Sequence, residues 1–213
     1  YSPTQAANVA IGDSLRITGE VSEYYEQTQI TANTATAVEK LAEPLGEVVP
    51  AAAEWPATEA ERELLEGMLI QPVGDFTVSN NYELNRYGEI GLAAGAEPLV
   101  TPTEVGAPGS PEAIAQAEQN AQRAVTLDDG STANYSTNAT AQSTPLPYLT
   151  LDAPVTVGAP VDFVAPVIVD YSFDQWRFQP TERVIGLENS PATFGDVREP
   201  APAEVGGDIT VGT

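Results

Sequence analysis

The chain has 213 residues, 42% of them hydrophobic, which is long enough for one large or two ordinary domains with a covered core and too apolar for disorder throughout. Its 31 acidic and 8 basic residues leave a formal charge of −23, a field that repels polyanions and disfavours unaided nucleic-acid binding. With no histidine and no cysteine it offers neither a disulfide framework nor the usual ligands of zinc and copper, and no apolar run reaches the length of a membrane span.

Eighteen prolines and seventeen glycines predict many turns and favour an all-β chain with long loops. The sequence opens at Tyr1 without an initiator methionine or a signal peptide, and it reads as a piece of a longer, processed polypeptide. Residues 9–25 (Val-Ala-Ile-Gly-Asp-Ser-Leu-Arg-Ile, then Thr-Gly-Glu-Val-Ser-Glu-Tyr-Tyr) start a pattern that returns at 156–171 (Thr-Val-Gly-Ala-Pro-Val-Asp-Phe, then Val-Ala-Pro-Val-Ile-Val-Asp-Tyr). Gly12 and Gly158 open each copy as a turn. The pairs Leu15/Ile17 and Val161/Phe163 then alternate as strand residues facing one core, and Tyr25 and Tyr171 precede a reversal into a second strand. Small antiparallel β-barrels or sandwiches, built twice, are the expected architecture. The second copy has four more residues between its tyrosine and the following glutamine, which predicts a longer hairpin there.

After a Thr/Ala-rich edge, residues 44–56 form a Pro/Ala-rich connector carrying Trp55. Thr58-Glu-Ala-Glu is a capping box for a short helix ending near Gly67, with Trp55 packed as a staple. Strands are predicted at Met68–Ile70, Phe76–Val78 and Tyr87–Leu92, with a turn at Asn80–Tyr82. Ser110-Pro111-Glu112 begins a second surface helix to Arg123, with Ile114, Ala117 and Ala121 on its buried face. Ala124–Leu127 is a strand closed by Asp128-Asp129-Gly130, and residues 131–144 are a polar loop with sequons at Asn134 and Asn138. The second copy follows, then linker, then a strand pattern at 208–213.

Three clusters carry chemistry. Asp128, Asp129 and Ser131 supply the oxygen ligands that calcium accepts, against the plain reading of a β-turn. Arg86 and Glu89 beside Tyr87 form either a ligand-holding ion pair or a cross-strand pair on a sheet edge. Tyr171, Trp176 and Arg177, with Phe173 and Phe178, form either a stacking platform for sugars or bases, or a hairpin whose alternation turns Phe173 and one of Trp176 and Phe178 into the core. No catalytic constellation is present: histidine-assisted catalysis is unavailable, and no glycine-rich phosphate loop occurs.

Six segments in order, Gly12–Tyr25, Asn85–Leu92, Pro108–Glu112, Val125–Ser131, Val169–Phe173 and Phe178–Thr181, resemble the region that precedes the catalytic domain in large secreted bacterial nucleases of the ExeM/NucH type. The resemblance implies a mainly β fold of two OB-like antiparallel units with two short surface helices. It divides the chain into a partial OB-like unit at 1–48, a linker at 49–57 and a second OB-like unit at 58–190 with a helical insertion near 111–123. A linker at 191–207 and the start of a truncated domain at 208–213 complete it. It further implies an extracellular or cell-surface location, no membrane insertion, no catalysis by this chain, and an adjoining endonuclease/exonuclease/phosphatase-type domain through which alone DNA is met. No cofactor is expected in this chain, with calcium at Asp128 and Asp129 as the one candidate that the residues themselves offer; the resemblance implies Mg2+ or another divalent ion in the absent nuclease domain.

Overall fold

The computed structural model describes residues 9–10, 12–199, 201 and 206; the strand expected at 208–213 lies outside them. The chain is mainly β. Its first part contains β1 (Leu15–Ile17), β2 (Glu20–Tyr24), β3 (Gln27–Thr31) and β4 (Val38–Lys40). These form two separate ribbons, β1 with β4 and β2 with β3.

The remainder builds one nine-stranded sheet curled into a half-barrel. Its strands are β5 (Ala51–Ala53), β6 (Leu69–Pro72), β7 (Phe76–Asn80), β8 (Ile90–Ala94), β9 (Ala124–Leu127), β10 (Pro160–Phe163), β11 (Val167–Ser172), β12 (Gln175–Pro180) and β13 (Ala192–Phe194). The order across the sheet is β13-β10-β7-β8-β9-β12-β11-β6-β5. Neighbours are antiparallel except β9 with β12 and β5 with β6, which are parallel. The stretches read as linkers, 49–57 and 191–207, thus contribute the two edge strands β5 and β13.

The repeated sequence makes the same local structure twice. Gly12 (φ 92°) and Gly158 (φ 89°) sit at the third position of tight turns, closed by Asp13 N–H to the Ala10 carbonyl at 3.1 Å and by Ala159 N–H to the Thr156 carbonyl at 3.0 Å. Positive φ there demands glycine. A strand and then a hairpin follow in each copy. Both hairpins turn on two residues, Tyr25-Glu26 and Phe173-Asp174, all four in the left-handed region. The second hairpin is the longer one, as expected: its strands have six residues each against five, while the turns are equal.

The alternation predicted one core for both copies, and the structure corrects this. Ile17, Val21 and Ile30 are exposed among the described residues, Val21 facing Ile30 across the β2–β3 ribbon. The first ribbon pair instead leans on the sheet through polar contacts, among them Gln27 Nε2 to Asp170 Oδ1 at 2.6 Å.

The core lies inside the curl. Phe178, fully buried, meets Trp55, Phe76 and Phe163 edge-to-face with centroids 5.2, 5.9 and 5.5 Å away. Such pairs contribute about 0.5–1.5 kcal/mol each beyond their buried area. Trp55 therefore does more than staple the following helix.

Four helices decorate the sheet: α1 (Glu59–Glu63), α2 (Leu84–Tyr87), α3 (Pro102–Val105) and α4 (Pro111–Arg123). Thr58 holds the N-cap position of α1, but the expected capping box is not formed: its side chain bonds no helix N–H and its hydroxyl donates to the Glu61 carboxylate at 2.6 Å, whereas the Ser110 hydroxyl accepts from Ala113 N–H at 3.3 Å to cap α4. The α4 face turned inward is not the predicted apolar one: Ile114 is exposed, while Ala113 is buried and Asn120 and Arg123 reach the carbonyls of Val100 and Ala94. Among the described residues no helix is long and apolar enough to cross a membrane.

Candidate functional site

The antiparallel pairing of β8 with β9 sets Ile90 opposite Leu127. Glu89, just before Ile90, and Asp128, just after Leu127, are therefore brought to the same end of the pair. Two carboxylates so placed repel each other. The parallel strand β12 supplies the remedy: Arg177, in register with Thr126, places Nη1 2.8 Å from a carboxylate oxygen of each. All three side chains are largely buried, and Arg177 Nε also donates to the Ser172 carbonyl at 3.2 Å. Arg177 sits on the face opposite Trp176 and Phe178, as strand alternation requires.

The next residue, Asp129, is fully buried. Its carboxylate accepts from the Tyr135 hydroxyl and from Ser131 N–H at 2.9 Å, while Asp128 accepts from Gly130 N–H at 2.9 Å. Burial pushes the Asp129 carboxyl up to about 6, against the lowering effect of the Tyr135 and Ser131 bonds. Burial also raises the Tyr135 and Tyr148 phenols, and Tyr148 donates to the Asp128 carbonyl. Asp128 and Asp129 are thus committed to protein donors as successive Asx-turns. Among the described residues no group of three or more acidic side chains is arranged to hold a metal ion.

Gly88 closes this junction from below. It ends α2 with φ 75°, and a Cβ there would lie 2.6 Å from the Asp129 carboxyl and 2.7 Å from the Pro147 ring. Gly88→Ala is expected to destabilise the protein by about 2 kcal/mol or more, since left-handed backbone alone costs about 1–2 kcal/mol for a residue with a Cβ. A urea titration checks it; an unchanged midpoint would show that the junction yields freely.

Around Arg177 opens a cleft of about 710 Å³, lined among others by Glu83, Gln175 and Gln179. Of the residues singled out in the sequence, Tyr87, Glu89, Asp128, Ser131, Phe173 and Arg177 meet here. Arg86 does not pair with Glu89, as the cluster predicted: it lies 4.8 Å over the Tyr87 ring and 3.9 Å from Glu83, because α2 turns it one helical step back. Trp176 and Tyr171 line a second, separate cleft beside Glu59 and Arg62. Trp176 is 6% exposed with Nε1 donating to Glu59 at 2.6 Å, and Tyr171 packs on it edge-to-face at 5.0 Å. Glu26 facing the Tyr171 hydroxyl, with some burial, pushes that phenol up to about 12.

The expected inward turn of Phe173 is overturned. It occupies the hairpin turn and is 82% exposed, whereas Trp176 and Phe178 both enter the core. Glu83, Tyr135 and Tyr148 were not singled out from the sequence; no local pattern marks them, since each gains its role from a loop packed against a distant strand. Set beside known proteins, the chain matches no protein-family model, no curated protein and no solved structure at a significant level.

Proposed function

We propose that this chain is the non-catalytic, OB-like β region of a secreted bacterial nuclease of the ExeM/NucH type, a scaffold that holds a separate metal-dependent domain in position and meets DNA only through it. One observation supports the reading. Four of the six resembling segments, Asn85–Leu92, Val125–Ser131, Val169–Phe173 and Phe178–Thr181, converge on a single junction, where their polar groups are bonded to one another or to Arg177. Residues that grip each other fix geometry; a turnover site needs groups directed at a substrate.

The test has two readouts. Plasmid DNA incubated with this chain and Mg2+ or Ca2+ is expected to stay intact, and sustained cleavage would overturn the scaffold reading. The reading frame around the segment is expected to encode a histidine-bearing nuclease domain, and a frame without one would remove the nuclease assignment.

A further inference from the structure

We propose that the cleft around Arg177 binds a neutral saccharide, stacked on Phe173 and Tyr87. This does not depend on the scaffold reading. The first observation is the placement of Phe173. It stands at the first central position of a two-residue hairpin turn with φ 55°, followed by Asp174 at 59°, where Asn-Gly is the unstrained choice. The ring is 82% exposed and lines the cleft, with the Arg177 guanidinium 5.2 Å away. Tyr25 takes the same left-handed position on the first hairpin, so it is the place of Phe173 beside the cleft, and not the turn alone, that singles the ring out.

The second observation is what the ring overlooks. The cleft, about 710 Å³, is of the size that takes a small ligand, and both Tyr87 and Phe173 line it. Its polar lining includes the carboxylates Glu89 and Glu83, the latter with Oε2 buried and without a hydrogen-bond donor among the described residues, and the Gln175 amide, whose oxygen accepts from Thr126 and whose NH2 is a donor. Carboxylate oxygens accept from the vicinal hydroxyls of a sugar, while the flat C–H face of a pyranose covers an aromatic ring.

The charge selects among ligands. Three carboxylates, Glu83, Glu89 and Asp128, line the cleft against one guanidinium, on a chain of net charge −23, so a nucleic-acid strand or a uronic acid is repelled. An organic cation is disfavoured for the opposite reason: Arg177 already lies 5.2 Å from the Phe173 ring, where a second cation would face it. A neutral polyol meets neither objection.

Isothermal titration of the whole chain with chitohexaose, cellohexaose and maltohexaose tests this, with a thymidine dodecamer and spermine as charged probes. At least one neutral hexasaccharide is expected to bind saturably. Phe173→Ala and Tyr87→Ala should each weaken it at least about tenfold, Phe173→Trp should keep it within about threefold, and Tyr25→Ala, on the other hairpin, should leave it unchanged. Phe173→Gly separates binding from folding, because glycine relieves the left-handed strain yet removes the ring: its melting temperature should not fall, and its binding should be lost. No heat from any neutral probe at millimolar concentration, binding that survives Phe173→Ala or Phe173→Gly, or preference for the dodecamer or spermine would each overturn the proposal.

Discussion

Replacing Arg177 by methionine is expected to destabilise the protein by about 3–5 kcal/mol, read as a lowered urea midpoint. The guanidinium is 2% exposed and lies 2.8 Å from both Glu89 and Asp128. Its removal leaves two buried carboxylates side by side with no cation between them. Desolvation then weighs against both, and their mutual repulsion adds to it. Lysine should recover part of the loss, since one ammonium can sit between two carboxylates; it cannot also reach the Ser172 carbonyl as Nε does at 3.2 Å. The decisive variant is the triple change Glu89→Gln, Asp128→Asn and Arg177→Met. Without charges there is nothing to compensate, and more than half of the single-mutant loss should return. A triple variant as unstable as the sum of its parts would mean that Arg177 acts through packing and not through charge.

How this junction arises also explains how much of it was legible. Glycines at positions 12 and 158, the cap at Ser110-Pro111, and the strands at Phe76 and Ala124 are local signals, each dictated by one residue's backbone preference or a short period, and each appears in the fold. The turn at Asp128–Ser131 is legible for the same reason. What could not be read is which strand lies beside which. Arg177 meets Asp128 only because β12 runs parallel to β9, and no period in either segment encodes that pairing. The Arg86–Glu89 reading failed on similar grounds: α2 occupies Leu84–Tyr87, a helix that was not expected and that overlaps the expected strand at Tyr87, so Arg86 finds Glu83 while Glu89 is left for a partner from another strand.

The repeat shows the limit of pattern most directly. Two segments with the same turn, strand and hairpin have opposite fates, since Val161 and Val169 are buried in the nine-stranded sheet while Ile17 and Val21 stay exposed on small ribbons. Alternation says which residues share a face. It does not say whether anything covers that face. Phe173 was misread because alternation was carried through a turn, where the period of two no longer applies.

Stability is expected to decline as pH rises from about 4 to about 6, and Asp129→Asn should remove the share of that decline that this carboxyl contributes. Burial lifts the Asp129 carboxyl from 3.8 to about 6, so the folded state holds the proton more tightly than the unfolded chain. A raised carboxyl gives stability that is fully present below the unfolded value and is lost as pH climbs through the folded one. A rise from 3.8 to about 6 corresponds to at most about 3 kcal/mol, lost once the pH is above 6. The Asp13 carboxyl, held low by its Lys40 partner, acts oppositely, since its contribution is lost as pH falls. Protonating other carboxylates also relaxes the repulsion of the −23 charge and so acts in the same direction as Asp129. The comparison with Asp129→Asn isolates the one group. The Asn amide oxygen can still accept from Ser131 N–H, and its NH2 group can donate to the Tyr135 hydroxyl oxygen as the protonated carboxyl does, so the variant should match the wild type near pH 4 and exceed it by up to about 3 kcal/mol at pH 7.5. Thermal melts of both proteins at intervals of pH would show curves that diverge between these limits. Curves that run parallel would mean that the Asp129 carboxyl is not the buried acid that sets this dependence.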